Sequence, residues 1–309
     1  MTTDQSTTQS NRTREIIQKV RKLEVRTRHL VDQALAGKYH SVFKGRGMDF
    51  DAVRPYAVGD DIRSIDWNVT ARTGDPFIKR FREERELKIM LAIDISNSGE
   101  FGSVGSSKRE YAAEIGAILA FSALKNNDKV GLILFTDEVE LYIPAKKGRR
   151  HILRLVREIL FFEPKHRGTD FIAPLDFLNS VLHKRSVTFL ISDFCLTGDF
   201  QSALETLKPK LRASKRRQDL IAVWINDPRD SELPDIGLLT LEDAETGEQV
   251  EINTSDPAVR KTFTELANSR HEELRHTLRR TGTDVMELST SKETMPALLE
   301  FFRQRHKQR

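Results

Sequence analysis

Four short runs, LKIMLAIDI (87–95), KVGLILFT (129–136), SVTFLISDF (186–194) and DLIAVWIN (219–226), are apolar at nearly every position. No other feature restricts the fold as much. A strand with one wet face alternates apolar and polar residues, so a continuous apolar run must be covered on both faces. Between the runs, apolar residues recur at helical spacing over 108–126, 149–162, 172–184 and 200–214, the last predicted to break near Pro209. Strand, helix, strand in repetition predicts a mostly parallel sheet flanked by helices, an α/β fold of Rossmann type. VELYIPA (139–145) follows its neighbour after a short turn and reads as an antiparallel edge strand. Further on, 237–254 reads as a hairpin around AETGE, and 256–282 as a helix opened by Asp256 and Pro257 and closed by Gly282. A strand at 283–290 and a helix at 293–305 complete the pattern.

The chain has 309 residues, 38% hydrophobic and 31% charged, enough for a large buried core. Its longest apolar stretch, GAILAFSAL (116–124), is about half a membrane span. The polar start MTTDQSTTQSNRTR lacks the apolar stretch of a signal peptide, and the single Cys195 cannot form an internal disulfide. The cytoplasm is therefore the expected location. Residues 1–12 are expected to be a disordered tail, 13–36 a helix, 37–83 a turn-rich lead-in and 84–309 the main domain, with 237–254 as an addition. In the lead-in, Asp60, Asp61 and Asp66 with Arg54, Arg63 and Arg72 are expected to pair and fix the segment to the main domain. Trp67 and Trp224 are expected in the core. Basic runs at 11–29, 146–157 and 208–217 read as solvated helix faces before they read as nucleic-acid contacts.

Open parallel sheets bind ligands beyond the carboxyl ends of their strands. Asp94 ends the first apolar run, with Ser96 and Ser98 following in DISNS; Asp193 holds the matching place in FLISDF. Thr169, in HRGTDF, stands in a loop just before a helix. Two carboxylates and three hydroxyls are hard oxygen donors, suited to a hard cation. Other chemistries fit less well. GSVGSSK (102–108) has Ser107 where a phosphate loop needs glycine, and Arg109 where it needs a hydroxyl. A G-x-S-x-G elbow is missing, and His151, His166 and His183 read as surface histidines. An aspartyl-phosphate enzyme wants a second acid where Ser96 stands. A metal cradle remains, and a metal-dependent phosphatase or nuclease built on Asp94 and Asp193 is the alternative use of it.

DISNS, then Thr169 in GTD, then Asp193 in ISD, resembles the metal-ion-dependent adhesion site of von Willebrand factor A domains. Gly99 departs from that pattern where many such domains carry methionine, outside the ligand set. GRGMDFDAVRPYAVGDDIRSIDWNVTAR (45–72) and EDAETGEQVEINT (242–254) resemble the signatures of the bacterial domain-of-unknown-function family 58. The resemblance implies a von Willebrand A-like domain with Asp94, Ser96, Ser98, Thr169 and Asp193 as metal ligands. The implied ion is Mg²⁺, with Mn²⁺ or Ca²⁺ as alternatives. It also implies a non-catalytic role in protein interaction, an acidic side chain of a protein partner at the metal, and work with a MoxR-type AAA+ ATPase in chaperone-like maturation of a client complex. Asp170, beside the site, is expected to cap a helix.

Overall fold

The four apolar runs form neighbouring strands of one six-stranded sheet in the computed structural model, which describes residues 18–31, 48–83, 87–103, 105–182, 186–196, 198–242 and 249–307. The expected tail (1–12), both ends of the first helix, residues 37–47, His183 and the AETGE tip lie outside the described residues. In chain order the strands are β1 (Met48–Pro55), β2 (Phe77–Glu83), β3 (Lys88–Asp94), β4 (Lys129–Phe135) and β5 (Val139–Lys146). They continue with β6 (Val187–Ser192), β7 (Asp219–Asn226), β8 (Leu238–Glu242), β9 (Gln249–Asn253) and β10 (Asp284–Ser289). The helices are α1 (residues 18–30), α2 (Trp67–Thr73), α3 (Lys108–Lys125) and α4 (Arg149–Phe161). After these come α5 (Ile172–Val181), α6 (Phe200–Arg217), α7 (Pro257–Arg280) and α8 (Thr294–Lys307).

The main sheet has the order β10-β7-β6-β3-β4-β5, parallel throughout except for β5, which runs antiparallel to β4 at the edge. This is the mostly parallel, Rossmann-type α/β arrangement that the sequence predicts, and it turns at β3: the chain builds outward on one side through β4 and β5, then crosses to β6, β7 and β10. Side-chain parity divides the core in two. Ile89, Leu91 and Ile93 of β3, with Phe189 and Ile191 of β6, pack on the face covered by α3, α4 and α8, joined by Val20 and Val31 from the N-terminal segment. Met90 and Ala92 of β3, with Leu190 of β6, pack on the opposite face against Leu175, Leu207 and Leu274 from α5, α6 and α7.

Helix α3 is wrapped by its neighbours, which is why YAAEIGAILAFSA shows no polar stripe: Tyr111, Ala113, Ile115, Leu119 and Phe121 are all buried. Gly116 allows the close approach, since a Cβ there would lie 3.3 Å from Ile159 and 3.4 Å from Ile93. The predicted break at Pro209 does not occur, and α6 runs unbroken through it. Pro209 lies on the exposed face, where water can satisfy the carbonyl that the ring leaves unpaired, while Leu204, Leu207 and Leu211 hold the opposite face. Asp256 caps α7 from its side chain to the Ala258 N–H at 2.8 Å, as expected.

The lead-in is an antiparallel pair, β1 with β2, crossed by a turn and the short α2. Among the described residues, its acids do not clamp it to the main domain as expected; they organise its own turns. Asp60 accepts two bonds from Arg54, at 2.7 and 2.8 Å, and one from the Ala57 N–H. Asp61 and Asp66 accept backbone N–H groups at Arg63, Asn68 and Val69, and Asp66 pairs with Lys79. Trp67 corrects the second expectation there: it is 66% exposed, at the start of α2, whereas Trp224 is buried as predicted.

Candidate metal cradle at the sheet's carboxyl edge

Asp94 is the last residue of β3 and shares the parity of Met90 and Ala92, so it points toward the α5 side of the sheet. The β3–β6 register pairs Ile93 with Ile191, which makes Ser192 the lateral neighbour of Asp94 on that same face. The Ser192 hydroxyl accordingly donates to Asp94 Oδ2 at 2.7 Å, and the Ser96 N–H donates to Oδ1 at 2.9 Å. Ser96 and Ser98 hydroxyls lie 3.0 Å apart, brought side by side by the short 3-10 turn at Asn97–Glu100. The loop carrying Thr169 is tied to this turn: the Asn97 N–H donates to the Arg167 carbonyl at 3.2 Å, and Thr169 is buried. Asp170 is not the N-cap that was expected: Phe171 holds that position without a side-chain bond, and the Asp170 carboxylate accepts from the Ile172 N–H at 2.8 Å.

Asp193 lies one residue past β6 and shares the parity of Phe189 and Ile191, so it turns to the α3 side. There it meets Lys108, the first residue of α3, whose Nζ stands 2.9 Å from Asp193 Oδ2 and 2.9 Å from Asp230 Oδ1. The Cys195 N–H occupies Asp193 Oδ1 at 3.1 Å, and the Trp224 indole N–H holds the Asp193 carbonyl at 2.9 Å. The next residue, Phe194, adopts the left-handed backbone with φ of 53°, a conformation that costs energy in a bulky residue. Two contacts hold it: its N–H donates to the Ser192 hydroxyl, and its ring stacks on Phe171 with centroids 5.1 Å apart.

The electrostatics of the two acids differ. Asp94 is buried and has no ion pair among the described residues. Burial, with the nearby charge of Asp193, pushes its carboxyl up to about 7 against the hydrogen bonds from Ser192 and Ser96. Lys108 is also buried; burial works against its charge, but Asp193 and Asp230 outweigh that and hold the ammonium above the ordinary lysine range. Burial raises the Asp230 carboxyl in spite of Lys108. Behind this pair, Asp227 accepts from the Ser103 N–H and hydroxyl, the Arg229 N–H and the Thr290 hydroxyl, fastening the loop after β3 to the end of β7. Beside Lys108 and Asp193 opens a groove of about 510 Å³ whose walls include Phe200, Trp224, His271 and Leu274.

The donor set suits a hard divalent cation. Asp94 is a buried carboxylate bonded, among the described residues, to neutral donors alone, and the hydroxyls of Ser96 and Ser98 stand close enough to face one ion together. Lys108, Ser192, Asp227 and Asp230 are the site residues that motif reasoning missed. One signal for Lys108 was available: a lysine at the first turn of a helix sits against the positive end of the helix dipole and needs an acid nearby. His151 and His166 stay outside the site, the first 2.8 Å from the Val130 carbonyl and the second 3.2 Å from Asp137.

Comparison with known proteins agrees with the signature residues. Uncharacterized proteins of Mycobacterium bovis and Mycobacterium tuberculosis are each 30% identical over 290 residues, 93% of this chain and 89% of theirs. Among solved structures, the conserved hypothetical protein BatB from Bacteroides thetaiotaomicron aligns over 72% of this chain and 99% of its own, at 13% identity and a TM-score of 0.41. The SpRpn10 VWA domain aligns over 71% and 95%, at 14% identity and a TM-score of 0.37. The model of the family described as protein of unknown function DUF58 matches residues 52–273, and the chain belongs to that family.

Proposed function

We propose that the chain is a non-catalytic interaction module that docks an acidic side chain of a partner through a divalent cation held by Asp94, Ser96, Ser98 and Thr169, with Asp193 at its margin. One observation carries the reading: a buried carboxylate at the open edge of the sheet, flanked by hydroxyls and paired with no cationic side chain among the described residues. When bound, Mg²⁺ would supply a Lewis-acidic position for an external oxygen ligand. The protein's own groups do the rest. Ser192 and the Ser96 N–H aim Asp94, the 3-10 turn aligns Ser96 with Ser98, and the Asn97–Arg167 bond holds the Thr169 loop against them. Because Asp193 is already paired with Lys108, an ion in the cradle faces the unshared charge of Asp94 alone, and a partner's carboxylate adds the next.

A hydrolase needs a general base beside the metal as well. Asp170, next to Thr169 in sequence, already accepts from the Ile172 N–H, which favours docking over hydrolysis. The basic runs are partly spent on internal pairs, among them Arg149–Glu24, Lys19–Glu110, Lys210–Asp176 and Lys215–Asp284, which weakens the nucleic-acid reading. Family resemblance points to a MoxR-type AAA+ ATPase as partner, in the cytoplasm. The test is surface capture of a purified MoxR-type ATPase by the immobilised chain in Mg²⁺ and in EDTA. Ser96→Ala and Thr169→Ala variants separate this site's ion from the nucleotide's. Binding that falls in EDTA and in both variants is the expected result; full binding by both variants would refute metal-mediated docking.

A further inference from the structure

Lys108 stands where its own helix gives a cation no support. It is the first residue of α3, at the positive end of the helix dipole. Its side chain is only 7% exposed, so water does not solvate the charge either. Asp193 and Asp230, each at 2.9 Å, supply the compensation. Asp193 then has a donor on each oxygen, one of them cationic: Oδ2 takes Lys108, and Oδ1 takes the Cys195 N–H. The two strand-end acids are thereby placed in different states. Among the described residues Asp94 meets only neutral donors, while Asp193, 5% exposed in its side chain, is neutralised by Lys108.

We propose that Lys108 withholds Asp193 from a divalent ion at the Asp94 cradle, leaving that ion one carboxylate short and open to an acidic ligand. The inference rests on the metal reading above and adds to it a residue that sets how tightly the ion is held. Two effects act together. The ammonium repels the ion at short range, and it ties up an oxygen donor that the ion would otherwise use. Asp230 keeps the arrangement in place: it gives Lys108 a second carboxylate, and its own position is fixed by a bond from the Asp227 N–H at 2.8 Å. Asp94, Ser98, Lys108 and Asp193 line one small pocket at the strand ends, so removing the ammonium leaves Asp193 free to face an ion there.

The experiment is calorimetric titration of MgCl₂ into the wild-type chain, Lys108→Met and Lys108→Gln, each checked for folding by circular dichroism. Methionine keeps the apolar stem that fills the site, and glutamine keeps a neutral polar head for Asp193. Both variants are expected to bind Mg²⁺ on the order of tenfold more tightly, or more. Tight binding in the variants with none in the wild type would support the inference while overturning metal dependence in the natural chain. Binding by the wild type that is equal to or stronger than that of either folded variant would overturn the inference and leave the metal reading standing. No binding by any of the three would overturn both.

Discussion

Asp227 shows how much of the site's shape depends on single residues outside the metal motif. It is buried at the end of β7 and gathers Ser103, Arg229 and Thr290 onto one carboxylate. Burial alone would raise its pKa, but those hydrogen bonds win and hold it down to about 2. A folded-state pKa below the unfolded value means stability that is present above about pH 4 and lost as pH falls toward 2. The depression is worth about 2 kcal/mol at neutral pH. Asp227→Asn should therefore unfold more easily by about that amount at pH 7, with the gap to wild type closing between pH 4 and pH 2; urea melts across that range measure it. A gap that persists undiminished at pH 2 would show that the charge is not what Ser103 and Thr290 hold. The motif residues Asp94, Ser96, Ser98, Thr169 and Asp193 were legible because each stands at a strand end or loop that the apolar pattern marks. Asp227, Asp230 and Ser192 were not, since their partners come from 63 to 124 residues away or from a neighbouring strand's register.

Elements were legible where one periodicity ruled them. β3, β4, β6 and β7 lie within the apolar runs, and α7 begins at the Asp256–Pro257 cap that the sequence announces. Pro209 misled because local propensity weighs a lost hydrogen bond without knowing that the bond faces water. The lead-in misled differently: its acids and arginines suggested a clamp, but Asp60 with Arg54, Asp61 and Asp66 find partners within a few residues. Ile78 is its buried hydrophobic among the described residues, and it belongs to neither core cluster. A two-stranded ribbon with so little apolar burial is marginal by itself. Residues 37–83 expressed alone should give collapsed amide dispersion by NMR, and well-dispersed signals would contradict this account of the segment.

Over the whole molecule, the alternation of apolar runs with helices was enough to fix the layers, and the one antiparallel edge followed from the short β4–β5 turn. The reversal of strand order at β3 was not in the pattern, yet it is what sets the DISNS turn, the Thr169 loop and the end of β6 around one edge of the sheet. Among the described residues, no helix is long and apolar enough to cross a membrane. The N-terminal segment packs Val20 and Val31 into the main core, and Arg149 pairs with Glu24 across the two. Everything in the functional account depends on the cradle at Asp94 holding a cation. Titrating MgCl₂ into the wild-type chain and Asp94→Ala by calorimetry tests that directly, with circular dichroism to confirm that both are folded. The account predicts saturable one-site binding by the wild type and its loss in the variant; equal binding by the folded variant would contradict it.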